Sequence, residues 1–189
     1  MNRIKRSFVL AALALASACS PQARATLQPG DPAPDFTAPA WLAGEAFEYS
    51  LSKALLDGPV VVYFFPAANT PGCNIEAALF SQAVDDFRAR GVSVIGVTAG
   101  NTDQLRDFSA DKATCAGKFP VAADEGARIA TRYAAALERK PDVSSRTSYL
   151  VGSDGRILAV HSDMNPQRHV TRMLESIPAV DSDAGNAGR

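Results

Sequence analysis

At 189 residues and 47% hydrophobic content the chain is long enough to bury one full core, which makes a single domain the expectation. Its formal charge of −1 excludes the strongly basic surface that nucleic acid or anionic lipid calls for. Losing residues 1–18 would remove Arg3, Lys5 and Arg6 but no acid, leaving 16 of the 19 basic residues against 20 acidic ones, a balance of −4. Neither partner is expected.

The chain opens on a targeting segment, residues 1–25. Arg3, Lys5 and Arg6 form a basic start, and Phe8–Ala18 is an apolar run long enough for a signal-peptide core but too short to cross a bilayer. Two cleavage readings stay open. Leu15-Ala16-Ser17-Ala18-Cys19 looks like a lipobox in which Cys19 is lipidated, and Ala23-Arg24-Ala25 is an A-x-A site for ordinary signal peptidase. Export to a bacterial periplasm, free or lipid-anchored, is expected either way.

Residues 27–41, rich in Pro, Ala and Gly, read as an extended lead-in, and Ala46–Leu51 alternates as a short strand. Val60–Phe65 is apolar throughout, as a strand covered on both faces would be. Residues 73–90 have helical spacing, with Ile75, Leu79, Phe80, Val84 and Phe87 on one side and Gly91 as the stop. Ser93–Val97 is the next strand. Asn101 with Gln104 reads as a capping box that starts a helix fading near Lys112–Gly117. A strand at Pro120–Ala122, a helix at Gly126–Tyr133 and a polar loop at Glu138–Ser145 follow. Thr147–Val151 and Arg156–Val160 then form a hairpin across Gly152–Gly155. Asn165 and Pro166 start a last helix through Val170, Met173 and Leu174 to Ile177, and the tail Asp181–Arg189 reads as disordered.

The junction after Val60–Phe65 carries the chemistry. Pro66-Ala67-Ala68-Asn69-Thr70-Pro71-Gly72-Cys73 leads from a buried strand to a cysteine in the first turn of a helix, where unpaired N–H groups and the helix dipole favour an anion. A thiol so placed ionises readily and becomes a nucleophile, whereas an isolated cysteine elsewhere is more often a small buried hydrophobe. Thr70 offers a hydroxyl to the sulfur or to a bound oxygen, and Pro66 stiffens the loop and removes a competing donor.

Pro-x-x-x-Thr-x-x-Cys resembles the active-site signature of the peroxiredoxins, and Thr-Pro-Gly-Cys after Val-Tyr-Phe-Phe-Pro is similar to the peroxiredoxin Q, or bacterioferritin comigratory protein, branch. The likeness runs from about Gly30 to Ile177. It takes in Pro32–Phe36, Val92–Val97, Phe119–Asp124 and Arg146–Val151 in the order the family has them. It implies an α/β thioredoxin-like fold, a central mixed sheet flanked by helices, which the order of predicted elements also suggests. It further implies a monomeric thiol peroxidase that reduces hydrogen peroxide and small organic hydroperoxides, with Cys73 as the attacking thiol.

By the same resemblance Arg146 is the fixed cation beside the sulfur, and Glu76 either orients that cation or is a favourable first-turn acid. Many members of the branch place a resolving cysteine five residues after the nucleophile, where this chain has Ala78. Others place it in the following helix, which points to Cys115; otherwise Cys115 is a passive core thiol. No cofactor or metal is expected, since His161 and His169 share no spacing with Cys or carboxylates. The reductant would be a separate thioredoxin-like dithiol protein. Two other readings are disfavoured. A thiol–disulfide oxidoreductase lacks its CxxC, because Glu76 stands three after Cys73. A copper-delivery or assembly module lacks its second cysteine, because Ala77 stands four after it.

Overall fold

Along β3 (Val60–Phe64), Val60, Val62 and Phe64 join one apolar cluster, while Val61 and Tyr63, with Phe65 just beyond, join another. This is the two-residue period of a strand whose faces are both covered, and it explains the unbroken apolar run. The computed structural model describes residues 26–178; the expected leader with Cys19, and the tail Asp181–Arg189, lie outside the described residues.

The elements in chain order are β1 (Thr37–Leu42), β2 (Glu45–Ser50), α1 (Leu51–Ala54), β3, α2 (Pro71–Ala89), β4 (Ser93–Thr98), α3 (Leu105–Ala110), β5 (Val121–Ala123), α4 (Arg128–Arg132), β6 (Ala136–Leu137), β7 (Lys140–Ser144), β8 (Thr147–Val151), β9 (Ile157–Ser162) and α5 (His169–Glu175). Seven strands form one mixed sheet in the order β2-β1-β5-β4-β3-β8-β9, and β6 and β7 pair separately. β3, β4 and β5 run parallel, and β8 lies antiparallel to β3 in the register Phe64↔Thr147 to Val60↔Val151. The α/β thioredoxin-like architecture is thus present. α2, α3 and α5 supply Phe80, Phe87, Leu105, Phe108 and Met173 to one face, and α1 and α4 supply Leu51, Ile129 and Ala130 to the other. Each fully buried phenylalanine in these layers contributes about 1.5–3 kcal/mol by leaving water.

Some elements depart from the sequence reading. The lead-in ends in a true strand, β1, with Pro39 inside it. β1 meets β5 only through Ala40 and Trp41, so Pro39 lies where the strand has β2 alone as partner, an edge position of the kind that tolerates a missing N–H. The loop expected at Glu138–Ser145 holds most of the small β6–β7 hairpin. α3 ends at Ala110, short of Lys112, and Asn101 does not cap it. Asn101 is left-handed (φ 54°), its side chain makes no capping bond, and a 3₁₀ turn at Thr102–Gln104 precedes the helix. Asn165 caps the 3₁₀ turn Pro166–Arg168, accepting from the Gln167 N–H at 3.1 Å, and the expected last helix starts only after that turn and ends at Glu175, short of Ile177. The Gly152–Gly155 turn closes through Gly152 N–H on the Arg156 carbonyl at 2.8 Å.

Candidate active site

β3 delivers the chain to the loop Pro66–Thr70, and the loop after β4 holds it there. Phe65 N–H donates to the Val97 carbonyl at 3.1 Å and Ala68 N–H to the Gly100 carbonyl at 3.2 Å. Asn101 Nδ2 donates to the Ala68 carbonyl at 2.7 Å, and Asn69 Nδ2 to Gln104 Oε1 at 2.7 Å. The pair that reads as a capping box is therefore spent on the neighbouring loop, a tertiary demand that outbids the local one. Gly100 permits this approach: a Cβ there would collide with the Pro66 carbonyl and lie 2.7 Å from Ala67 Cβ.

Thr70 is the extended N-cap residue of α2 (φ −110°, ψ 148°), and Pro71 takes the first helical position, where its missing N–H is no loss. The Thr70 hydroxyl donates to the Ala67 carbonyl at 3.0 Å. It is thus engaged with its own loop, not with the sulfur, and faces a bound oxygen only through its acceptor lone pairs. Cys73 is the third residue of α2, two positions later in the helix than the sequence suggests, and is 1% exposed. Pro66, Ala67, Thr70 and Gly72 around it are half-buried.

Arg146 immediately precedes β8, and its pairing with β3 across Phe64↔Thr147 brings it to the same end of the sheet as Cys73. All three guanidinium nitrogens are used. Nη2 donates to Cys73 Sγ at 3.5 Å, Nη1 to Glu76 Oε2 in a close ion pair, and Nε to the Met164 carbonyl at 3.0 Å. Gly72 makes room for this: a Cβ at that position would stand 3.1 Å from Arg146 Nη2. Arg146 is 4% exposed and Glu76 is fully buried, so the pair is shielded from solvent screening. Burial pushes the Glu76 carboxyl up, while the charge and hydrogen bond of Arg146 pull it back toward the ionised form that the pair uses. For Arg146 burial acts to lower the pKa, but Glu76 and Cys73 overcome it and hold the guanidinium above its ordinary value. Of the two readings of Glu76, orientation of the cation is the one this geometry fits; a helix-start acid would lie at the surface.

Cys115 sits not in α3 but in the run of turns after it. Ala116 N–H and Thr114 N–H both close on the Asp111 carbonyl, at 2.9 and 3.0 Å. Both thiols are free and buried, and both belong to the apolar cluster under α2 and α3. Burial, reinforced by Asp111, drives the Cys115 thiol far above its ordinary value, so it rests protonated.

His169 is a participant the sequence does not reveal. The polar run Asn165-Pro166-Gln167-Arg168 suggests a solvated helix start, but His169 is fully buried with Val170 and Met173 on the inner side of α5. The spacing of His169 and Met173, four apart on one helical face, was the available signal. Among the described residues no three His, Cys, Asp or Glu side chains are grouped as a metal site. A cleft of about 540 Å³ borders Arg146 and Met164, with Leu137 and Pro141 of the small hairpin on its far wall. Two larger clefts, near 650 and 690 Å³, lie between β1 and the α3–α4 side and include none of Cys73, Glu76, Cys115, Arg146 and His169.

A family model described as the AhpC/TSA family matches residues 29–160. A protein of Mycobacterium tuberculosis strain H37Rv that bears the name peroxiredoxin is 30% identical over 157 residues, 80% of this chain and 95% of its own. The chloroplastic peroxiredoxin Q of Sedum lineare is 26% identical over 132 residues, 69% of each chain. Among solved structures, peroxidoxin BcpB of Mycobacterium tuberculosis superposes with a TM-score of 0.70 at 27% identity, covering 80% of this chain and 96% of its own. The reduced 2-Cys peroxiredoxin of Plasmodium vivax gives 0.69 at 22% identity, covering 79% and 94%, a likeness of fold alone.

Proposed function

Because this chain belongs to the AhpC/TSA family and is a thiol-dependent peroxidase of the peroxiredoxin kind, we propose that Cys73 is its peroxidatic thiol, with Arg146, Glu76, Thr70 and Pro66 as the groups that serve it. The observation that carries this reading is the single guanidinium that bonds Cys73 Sγ with one nitrogen and Glu76 with another. The Cys73 thiolate attacks one oxygen of the hydroperoxide; an S–O bond forms, the O–O bond breaks, and the departing oxygen leaves as hydroxide or alkoxide and takes up a proton. Charge developing on both oxygens meets Arg146 and the unpaired N–H groups of the α2 start, donors already in place before the reaction. The burial of Cys73 beneath the half-buried Pro66, Ala67, Thr70 and Gly72 favours hydrogen peroxide and small organic hydroperoxides over bulky ones.

The resulting sulfenic acid is captured by Cys115, which forms the disulfide with loss of water, and a separate dithiol protein reopens it. A bridge needs Cα atoms about 4.4–6.8 Å apart. The turns at residues 111–118, which have no helix or sheet ladder of their own, are the segment that moves.

The test is to mix the reduced full chain with a slight excess of hydrogen peroxide. The expected result is a mass loss of two hydrogens, with peptide mapping placing the lost thiols at Cys73 and Cys115. In Cys115→Ser the product instead gains oxygen at Cys73. A wild-type chain that keeps both thiols removes the peroxidatic assignment; a Cys115→Ser chain that still loses two hydrogens removes the resolving one. Export, supported by the basic start and apolar run of residues 1–25, is part of the same proposal. The mass of the mature N-terminus distinguishes a diacylglyceryl Cys19 from cleavage after Ala25, and an intact Met1 in an envelope-competent bacterial host defeats both.

A further inference from the structure

His169 lies beside both supports of Arg146, Glu76 and the Met164 carbonyl, without touching the sulfur. Its Nε2 lies 2.8 Å from the Asp163 carbonyl, and the next carbonyl along, that of Met164, is the one Arg146 Nε donates to. Its Nδ1 lies 2.8 Å from Ser148 Oγ, two residues beyond Arg146 on β8, and 3.6 Å from Glu76 Oε1. A carbonyl can only accept, so the network assigns the ring proton to Nε2, and Nδ1 accepts from the Ser148 hydroxyl. Burial pushes the imidazolium down to about 4, the Asp163 carbonyl opposing this and His161 and Arg146 adding to it. The His161 ring packs edge-on at 4.7 Å.

The neutral form matters for Glu76. Its Oε1 is buried with no hydrogen-bond partner, and its Oε2 holds Arg146. A ring that carried a second proton would turn a donor toward Oε1 and compete with Arg146 for the carboxylate. An apolar residue would fill the space but remove the side-chain hold on the Asp163 carbonyl, leaving the segment that receives Arg146 Nε to the longer Asp163 N–H bond on the Arg146 carbonyl, 3.3 Å, and the Asn165 turn.

We propose that His169 is a positioning residue of this site: a neutral imidazole that clasps the Asp163–Met164 backbone and leaves Glu76 to Arg146, so that the guanidinium stays on Cys73 while the O–O bond breaks. The inference rests on the assignment of Cys73 and Arg146 given above.

The experiment measures the second-order rate constant for hydrogen peroxide in the full chain carrying His169→Phe or His169→Gln, each also in an Arg146→Gln background, with thermal unfolding alongside. His169→Phe is expected to lose about 10–100-fold, since a displacement near 1 Å can cost about 10² in rate. Gln, whose amide N–H can still reach Asp163, is expected to recover to within about threefold of wild type. In the Arg146→Gln background His169→Phe is expected to have no further effect, because both act through one group. If the Phe variant does not fold, His169→Asn, too short to reach Asp163, serves instead with an expected loss of about tenfold. A folded Phe variant within twofold of wild type, or an equal loss with and without Arg146, overturns the inference. A wild-type chain inert to peroxide is a different outcome: it overturns the Cys73 reading and the inference with it.

Discussion

Cys73→Ser is expected to abolish peroxide consumption, a fall of at least about three orders of magnitude, or about 4 kcal/mol at 1.36 kcal/mol per decade. The second thiol cannot take over. Cys115 is fully buried, protonated at working pH and, among the described residues, has no arginine bonded to its sulfur. The serine hydroxyl is nearly isosteric with the thiol, so the fold should persist, and stopped-flow peroxide kinetics alone should register the change. If the serine protein consumes peroxide at the wild-type rate, the nucleophile has been misassigned.

Arg146→Ala should lower the peroxide rate constant by about 10²–10³-fold, the usual effect of losing one preorganised donor to developing charge on oxygen. Its effect on stability is separate and also large. Truncation leaves Glu76 fully buried with neither oxygen paired, and breaking a buried ion pair from one side costs about 3–5 kcal/mol. Combining Arg146→Ala with Glu76→Gln separates the two effects: stability measured by urea unfolding should largely return, because no buried charge is stranded, while the rate stays low. Arg146→Lys should recover little, since one ammonium cannot reach Sγ, Glu76 and the Met164 carbonyl together. An Arg146→Ala protein with wild-type kinetics would remove this residue from the mechanism.

The parts of the molecule legible in the sequence are those where local pattern and tertiary demand agree. Val60–Phe65 is apolar because each face of one strand meets its own layer, and the loop from Pro66 to Cys73 announces itself by residue type. The parts that were not legible are those where packing overrode local chemistry. Asn101 and Gln104 have the spacing of a helix start but serve the Pro66–Thr70 loop from outside. Pro39 argues against a strand until it is known that β5 begins its contact one residue later. β6 and β7, with Pro141 and charged Lys140 and Asp142, carry no apolar alternation because little of the hairpin is buried. His169 follows four polar or helix-starting residues, and only its four-residue spacing from Met173 hints that α5 will turn it inward against Glu76.

Both sulfurs belong to the layer beneath α2, α3 and α5, while the layer of α1 and α4 contains neither. Joining them therefore requires no strand to be crossed and no rearrangement of the opposite side. Under the proposed Cys73–Cys115 bridge, the loosening that closes it is confined to the side that holds both sulfurs, and the layer of α1 and α4 need not move.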